Sequence, residues 1–179
     1  MIYSLCVVAS LLGASDALSK TTVQGLSLSA PGAWKVSDEE GSKSWEEPDG
    51  EAEMKAKLEL SVFVVDPARP SAQCIKELKD GLNVSNATRL PDGGVAPSTI
   101  KFEDQKVGGQ PAFRSVVFDY VGGAGSTKSD KNKVSTVTYV GCNGSTKWLI
   151  TMTSPASKAP RFGALLKKII DSVAYSSGR

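Results

Sequence analysis

The run AFRSVVFDYV at residues 112–121 is followed by VSTVTYV at 134–140 and KWLITMT at 147–153. These three runs decide the fold. Each is rich in β-branched and aromatic residues, the composition of strands. Between the first two lies the polar loop Gly122-Gly-Ala-Gly-Ser-Thr-Lys-Ser-Asp-Lys-Asn-Lys133, so they predict a long hairpin. Between the second and third lies Asn143-Gly144, the strongest short hairpin signal in the chain.

Working outward, residues 58–65 begin by alternating and end apolar, as a half-buried strand does. Weaker strands are expected over 23–29, 34–37, 42–46 and 100–107. After the hairpins comes a helix. Phe162, Leu165, Leu166, Ile169, Ile170 and Val173 form one apolar stripe at helical spacing, with Lys167, Lys168 and Asp171 opposite. Ser157 and Pro160 supply start signals. A shorter helix is expected over 71–82, with Cys74, Ile75, Leu78 and Leu82 on one face and Gly81 at its end. Antiparallel strands with two amphipathic helices give an α+β sandwich, the helices covering sheet faces.

Composition narrows the function. Hydrophobic residues make up 40% and charged residues 22%, so a packed core is within reach. The 21 Lys+Arg against 19 Asp+Glu lack the basic excess of a nucleic-acid binder. The chain has no His, which removes His-based triads, His general bases and imidazole zinc sites.

The N-terminus carries an apolar run, with Ile2, Leu5, Val7, Val8, Leu11 and Leu12, shorter than the roughly 20 residues that span a bilayer. Small residues follow at signal-peptidase spacing, Ser15-x-Ala17 and Ala17-x-Ser19. Residues 1–19 are therefore expected to be a secretory signal peptide, cut after Ala17 or Ser19, although no Lys or Arg precedes the run. A single domain over 20–179 would remain, secreted or periplasmic, without membrane insertion. Cleavage removes Cys6 and leaves Cys74 and Cys142, an even pair that in an exported protein points to a disulfide; two buried thiols that never meet are the alternative. Asn83, Asn86 and Asn143 stand in glycosylation sequons that matter only in a eukaryotic source.

Candidate chemistry is sparse. The loop 122–129 imitates a phosphate-binding loop, but Thr127 stands where Gly must precede the Lys, and a strand rather than a helix follows. Asp38, Glu39, Glu40, Glu46, Glu47, Asp49, Glu51 and Glu53 lack the calcium-loop spacing and read as a solvated acidic loop. Glu103 and Asp104 are adjacent and point to opposite sides of a strand. No catalytic, cofactor or metal residues are assigned, and a non-enzymatic role is favoured. Lys128, Lys131 and Lys133 form a basic hairpin tip suited to an anionic partner. Of the three tryptophans, Trp148 reads as buried, and Trp45, among acids, is expected to be the most exposed and a partner contact.

Gly25-Leu-Ser-Leu-Ser-Ala-Pro31-Gly-Ala-Trp34, Val107-Gly-Gly-Gln-Pro-Ala112 and the closing Phe162…Ile169-Ile170-Asp171-Ser172-Val173 together resemble the PsbP/Mog-like family over roughly residues 23–175. The resemblance implies an α-β-α sandwich around an antiparallel sheet. It also implies a binding, assembly or chaperone role without catalysis. The matching positions shape turns and core, so no functional residue is carried over. The reading is an exported protein-binding or accessory protein, including an immunity-type inhibitor of a toxin or enzyme, with 38–53 and 122–133 as contact surfaces. The alternatives are a small-ligand or lipid binder with a pocket between the C-terminal helix and the sheet, and a hydrolase without His.

Overall fold

The computed structural model describes residues 17–48, 54–64, 70–85, 88–89, 95–96, 100–121, 128–144 and 146–175. Residues 1–16 of the expected leader, Asp49, Glu51, Glu53, Asn86 and loop residues 122–127 lie outside them.

The chain opens with β1 (Leu18–Val23) and β2 (Leu26–Pro31), joined by Gln24-Gly25. Both turn residues have positive φ, 44° and 84°, the backbone of a type I′ turn. One strand over 23–29 is expected from the sequence; the turn splits it, and the alternation Leu26, Leu28, Ala30 belongs to β2 alone. β1 starts at Leu18, two residues before Lys20, and the Gly32 N–H donates to Ala17 O at 2.8 Å.

A seven-stranded antiparallel sheet forms the centre. It holds β3 (Lys35–Glu39), β4 (Ser42–Glu46), β5 (Lys57–Val64), β8 (Phe102–Val107), β9 (Gln110–Tyr120), β10 (Lys133–Asn143) and β11 (Thr146–Pro155), in the order β3-β4-β5-β11-β10-β9-β8. The pair β6 (Thr88–Arg89) and β7 (Val95–Ala96) stands apart. Both expected hairpins form. Asn143 pairs Thr146 across a two-residue turn with Gly144 at φ 59°. Lys133 pairs Tyr120 at the base of the long loop.

Helix α1 (Ser71–Ser85) packs on one face of this sheet, where Cys74 and Ile75 meet Phe113, Val140 and Cys142. It runs through Gly81 past the expected stop, because Gly81 does not take the positive φ of a helix-ending glycine. Helix α2 (Ala159–Asp171) lies on the other face, entered through a 3-10 turn at Ala156–Lys158. Pro160 sits in its first turn, while Ser157 belongs to the 3-10 turn and makes no cap. The predicted stripe is buried: Phe162, Leu165, Leu166, Ile169 and Ile170 meet Leu58, Leu60, Trp148, Ile150 and Met152. Beside α2, β1, β2 and β12 (Ala174–Tyr175) make a three-stranded sheet. The Ser29 N–H donates to Ser172 Oγ at 2.8 Å and ties this sheet to the helix end. The result is the expected α+β sandwich, helices on both faces of an antiparallel sheet.

Candidate functional groove

Along β9, side chains alternate between faces. Phe113 and Ser115 turn towards α1; Arg114, Val116 and Phe118 turn towards α2. Helix α2 packs over β11 and leaves a gap towards the β8–β9 end of the sheet. Two adjoining cavities fill the gap, sharing Arg114 and Gly163. The first, about 180 Å³, is mainly apolar, with Val116, Phe118, Val137, Met152 and Phe162 among its walls. The second, about 430 Å³, is polar, with Glu103, Gln105, Tyr139, Lys167 and Asp171.

Gly163 makes the opening. It sits on the helix wall, and a Cβ there would meet nothing within 4 Å. A helical Gly costs about 1 kcal/mol relative to Ala, so its presence needs a reason beyond helix formation. Arg114 lies at the junction and bonds Glu103, its cross-strand partner, at 2.7 Å. Lys167 bonds Asp171 at 2.7 Å, and that carboxylate holds the ammonium above its ordinary pKa. At the far end Phe118 is 57% exposed, with Lys133 Nζ 5.2 Å from its ring centre.

The expected contact residues divide. Lys133 stands at the groove's end beside Phe118. Lys128 Nζ lies 5.5 Å from the Tyr120 ring, nearby on the same hairpin. Lys131 is exposed next to them. Trp45 corrects the sequence expectation: it is 3% exposed, in the core. On β4 its acidic neighbour Glu46 points to the opposite face, while Trp45 lies between Val36 and Leu58. A strand's alternation makes adjacent charges poor witnesses to exposure.

The acidic stretch is corrected in part: Asp38, Glu39 and Glu40 are exposed as expected, but the stretch is not one solvated loop. Asp38 and Glu39 end β3, Glu46 ends β4, and Glu47 is buried at 6% exposure, accepting from Arg161 Nη1 at 3.2 Å. Glu103 and Asp104 do point to opposite sides, Glu103 to Arg114 and Asp104 to Lys79. Cys74 and Cys142 are bonded, with Cα atoms 6.2 Å apart. Among the described residues no group of three or more Cys, Asp or Glu is placed to hold a metal, and no helix is long and apolar enough to cross a membrane.

Arg114, Phe118, Tyr139 and Gly163 were not legible as a site, because the groove joins residues from β9, β10 and α2. Gly163 inside an apolar stripe was the available signal.

No protein family's sequence profile matches the chain, and no curated protein does. Solved structures do. Cyanobacterial PsbP (CyanoP) from Synechocystis superposes with a TM-score of 0.56 at 13% identity, covering 96% of this chain and 98% of its own. The Ran-binding protein Mog1p of Saccharomyces cerevisiae gives 0.50 at 8% identity, over 89% of this chain and 97% of its own. A Bacteroides thetaiotaomicron protein gives 0.52 at 16% identity over 84% of this chain, which spans 45% of that protein's length. The chain therefore has the PsbP/Mog-like fold.

Proposed function

We propose that this is an exported, non-catalytic protein that binds a partner protein through the groove between α2 and β8–β10. The exposed Phe118 ring, on the wall of an apolar slot and covered on one side by the Lys133 ammonium, carries the reading. A large aromatic held in the open beside charge is a common anchor of protein contacts. The fold is shared with Mog1p, described as Ran-binding. The partner would insert an apolar side chain beside Gly163 and set acids against Lys133 and Arg114. An immunity-type inhibitor is the form this takes if the partner is a toxin or enzyme.

The Cys74–Cys142 bond supports export, since disulfides persist in oxidising compartments. Leader cleavage after Ala17 would leave β1 whole, whereas cleavage after Ser19 would remove its first two residues. Ala17 is therefore the proposed site.

The test is a pull-down from an exported-protein extract of the source, run in parallel with wild type and Phe118→Asp. One stoichiometric partner, weakened roughly thirtyfold by the variant (about 2 kcal/mol), supports the reading. A partner held equally by both moves the contact off the groove. A second reading rests on the slot of about 180 Å³ itself, which would hold a small apolar ligand. Native mass spectrometry of the gently purified protein, without any added mass, counts against it.

A further inference from the structure

Strand β3 ends the large sheet, and all five of its residues are exposed. No described strand lies beyond it. Its sequence is Lys35-Val36-Ser37-Asp38-Glu39. Reversed upon itself about Ser37, this strand sets opposite charges together at both ends: Lys35 faces Glu39, while Val36 faces Asp38 and Ser37 faces Ser37. Shifting the centre to Val36 or Asp38 loses the Lys–Glu match.

The backbone agrees with that register. Glu39 pairs Ser42 across the two-residue loop Glu40-Gly41. The pair flanking such a loop is hydrogen-bonded, and bonded and non-bonded pairs alternate along the ladder. Glu39, Ser37 and Lys35 therefore turn their N–H and C=O groups inward to β4. Val36 and Asp38 turn theirs outward. A two-fold axis at Ser37 sets the outward groups of Val36 opposite those of Asp38 in the second copy. That is the pairing an antiparallel ladder needs.

The side chains are also available. Asp38 is held by Lys43 at 2.8 Å, but Lys35 and Glu39 have no ion-pair partner among the described residues. Val36 is 48% exposed, a large apolar side chain left on an edge. The opposite edge, β8, is occupied differently. Its Glu103 and Asp104 are bonded to Arg114 and Lys79, and its Val107 carbonyl accepts from Tyr175 Oη at 3.3 Å. Mixed charge on an edge usually blocks chance pairing. On β3 the two signs are placed so that one register alone satisfies them.

We infer that β3 docks against β3 of a second copy of this chain, antiparallel and centred on Ser37, joining two sheets into one across a two-fold axis. The interface is isologous, so each charge pair occurs twice.

Sedimentation velocity over a dilution series of the purified protein is expected to show a reversible dimer. Lys35→Glu and Glu39→Lys each place like charges opposite one another and raise its dissociation constant about tenfold. The double variant restores opposite charges and returns the constant to within about threefold of wild type. Register is read by cysteine cross-linking. Ser37 would oppose itself in a non-hydrogen-bonded pair with Cα atoms about 4.5 Å apart, inside the disulfide range. Ser37→Cys should form a covalent dimer on a non-reducing gel, and Val36→Cys should not. A wild type that stays monomeric while Ser37→Cys fails to cross-link overturns the proposal. So does a dimer indifferent to both charge reversals.

Discussion

The Trp148 indole N–H donates to Tyr175 Oη at 2.9 Å, joining β11 to β12. Tyr175 Oη in turn donates to Val107 O at 3.3 Å. One phenol thus ties three elements separated widely in sequence. Tyr175→Phe leaves a buried donor without an acceptor and is expected to cost about 1–3 kcal/mol in denaturant unfolding.

The same phenol sets an alkaline limit. Burial is the first cause that raises its pKa from 10.0 to about 12, opposed by the Trp148 bond. The unfolded chain therefore releases this proton first as pH rises, and stability is lost between about pH 10 and 12. Thermal unfolding across that window should fall more steeply for wild type than for Tyr175→Phe. Parallel curves would mean that Tyr175 titrates alike folded and unfolded.

Gly141 faces Trp148 across the ladder, and a Cβ there would stand 2.0 Å from Trp148 Cζ2. The indole has no room to retreat within a close-packed core. Gly141→Ala is expected to destabilise by about 3 kcal/mol, read by urea unfolding, with the loss of near-ultraviolet signal marking the displaced indole.

Glu47 is buried and receives the Arg161 guanidinium on one oxygen and the Ala56 N–H at 3.4 Å on the other. Arg161 also lies over the Phe162 ring, 4.8 Å from its centre. Arg161→Ala uncovers both and should cost about 2 kcal/mol. A double-mutant cycle with Glu47→Gln should show coupling above about 0.5 kcal/mol; additivity would reduce the pair to a surface contact.

The Cys74–Cys142 bond fixes α1 to the sheet and closes a span of 68 residues. Replacing both by Ala is expected to cost about 2–5 kcal/mol. Hydrogen exchange should rise first in α1, the element that the bond ties to β10.

The Gln24 backbone, at φ 44°, occupies a region costly for residues with a Cβ. Gln24→Gly should therefore stabilise by roughly 0.5–1 kcal/mol despite the added freedom of the unfolded chain. A lowered melting temperature would show that the Gln24 side chain contributes more than its backbone costs.

Local periodicity was enough for most elements. The stripe Phe162 to Ile170 was enough for a helix, and Asn143-Gly144 marked the hairpin, although Asn143 ends β10 and the turn begins at Gly144. The missing His excludes imidazole-based chemistry on composition alone. Alternation also contained the fate of Trp45, but charge in the neighbouring residues hid it. What tertiary structure alone decided was which separate runs share a face. Arg114, Phe118 and Gly163 line one cavity because β9 and α2 flank it on one side of the sheet, and Cys74 reaches Cys142 because α1 covers β10. Periodicity fixes the direction of a side chain within its own element. The neighbour it meets depends on strand order and helix placement, which the whole core selects by close packing.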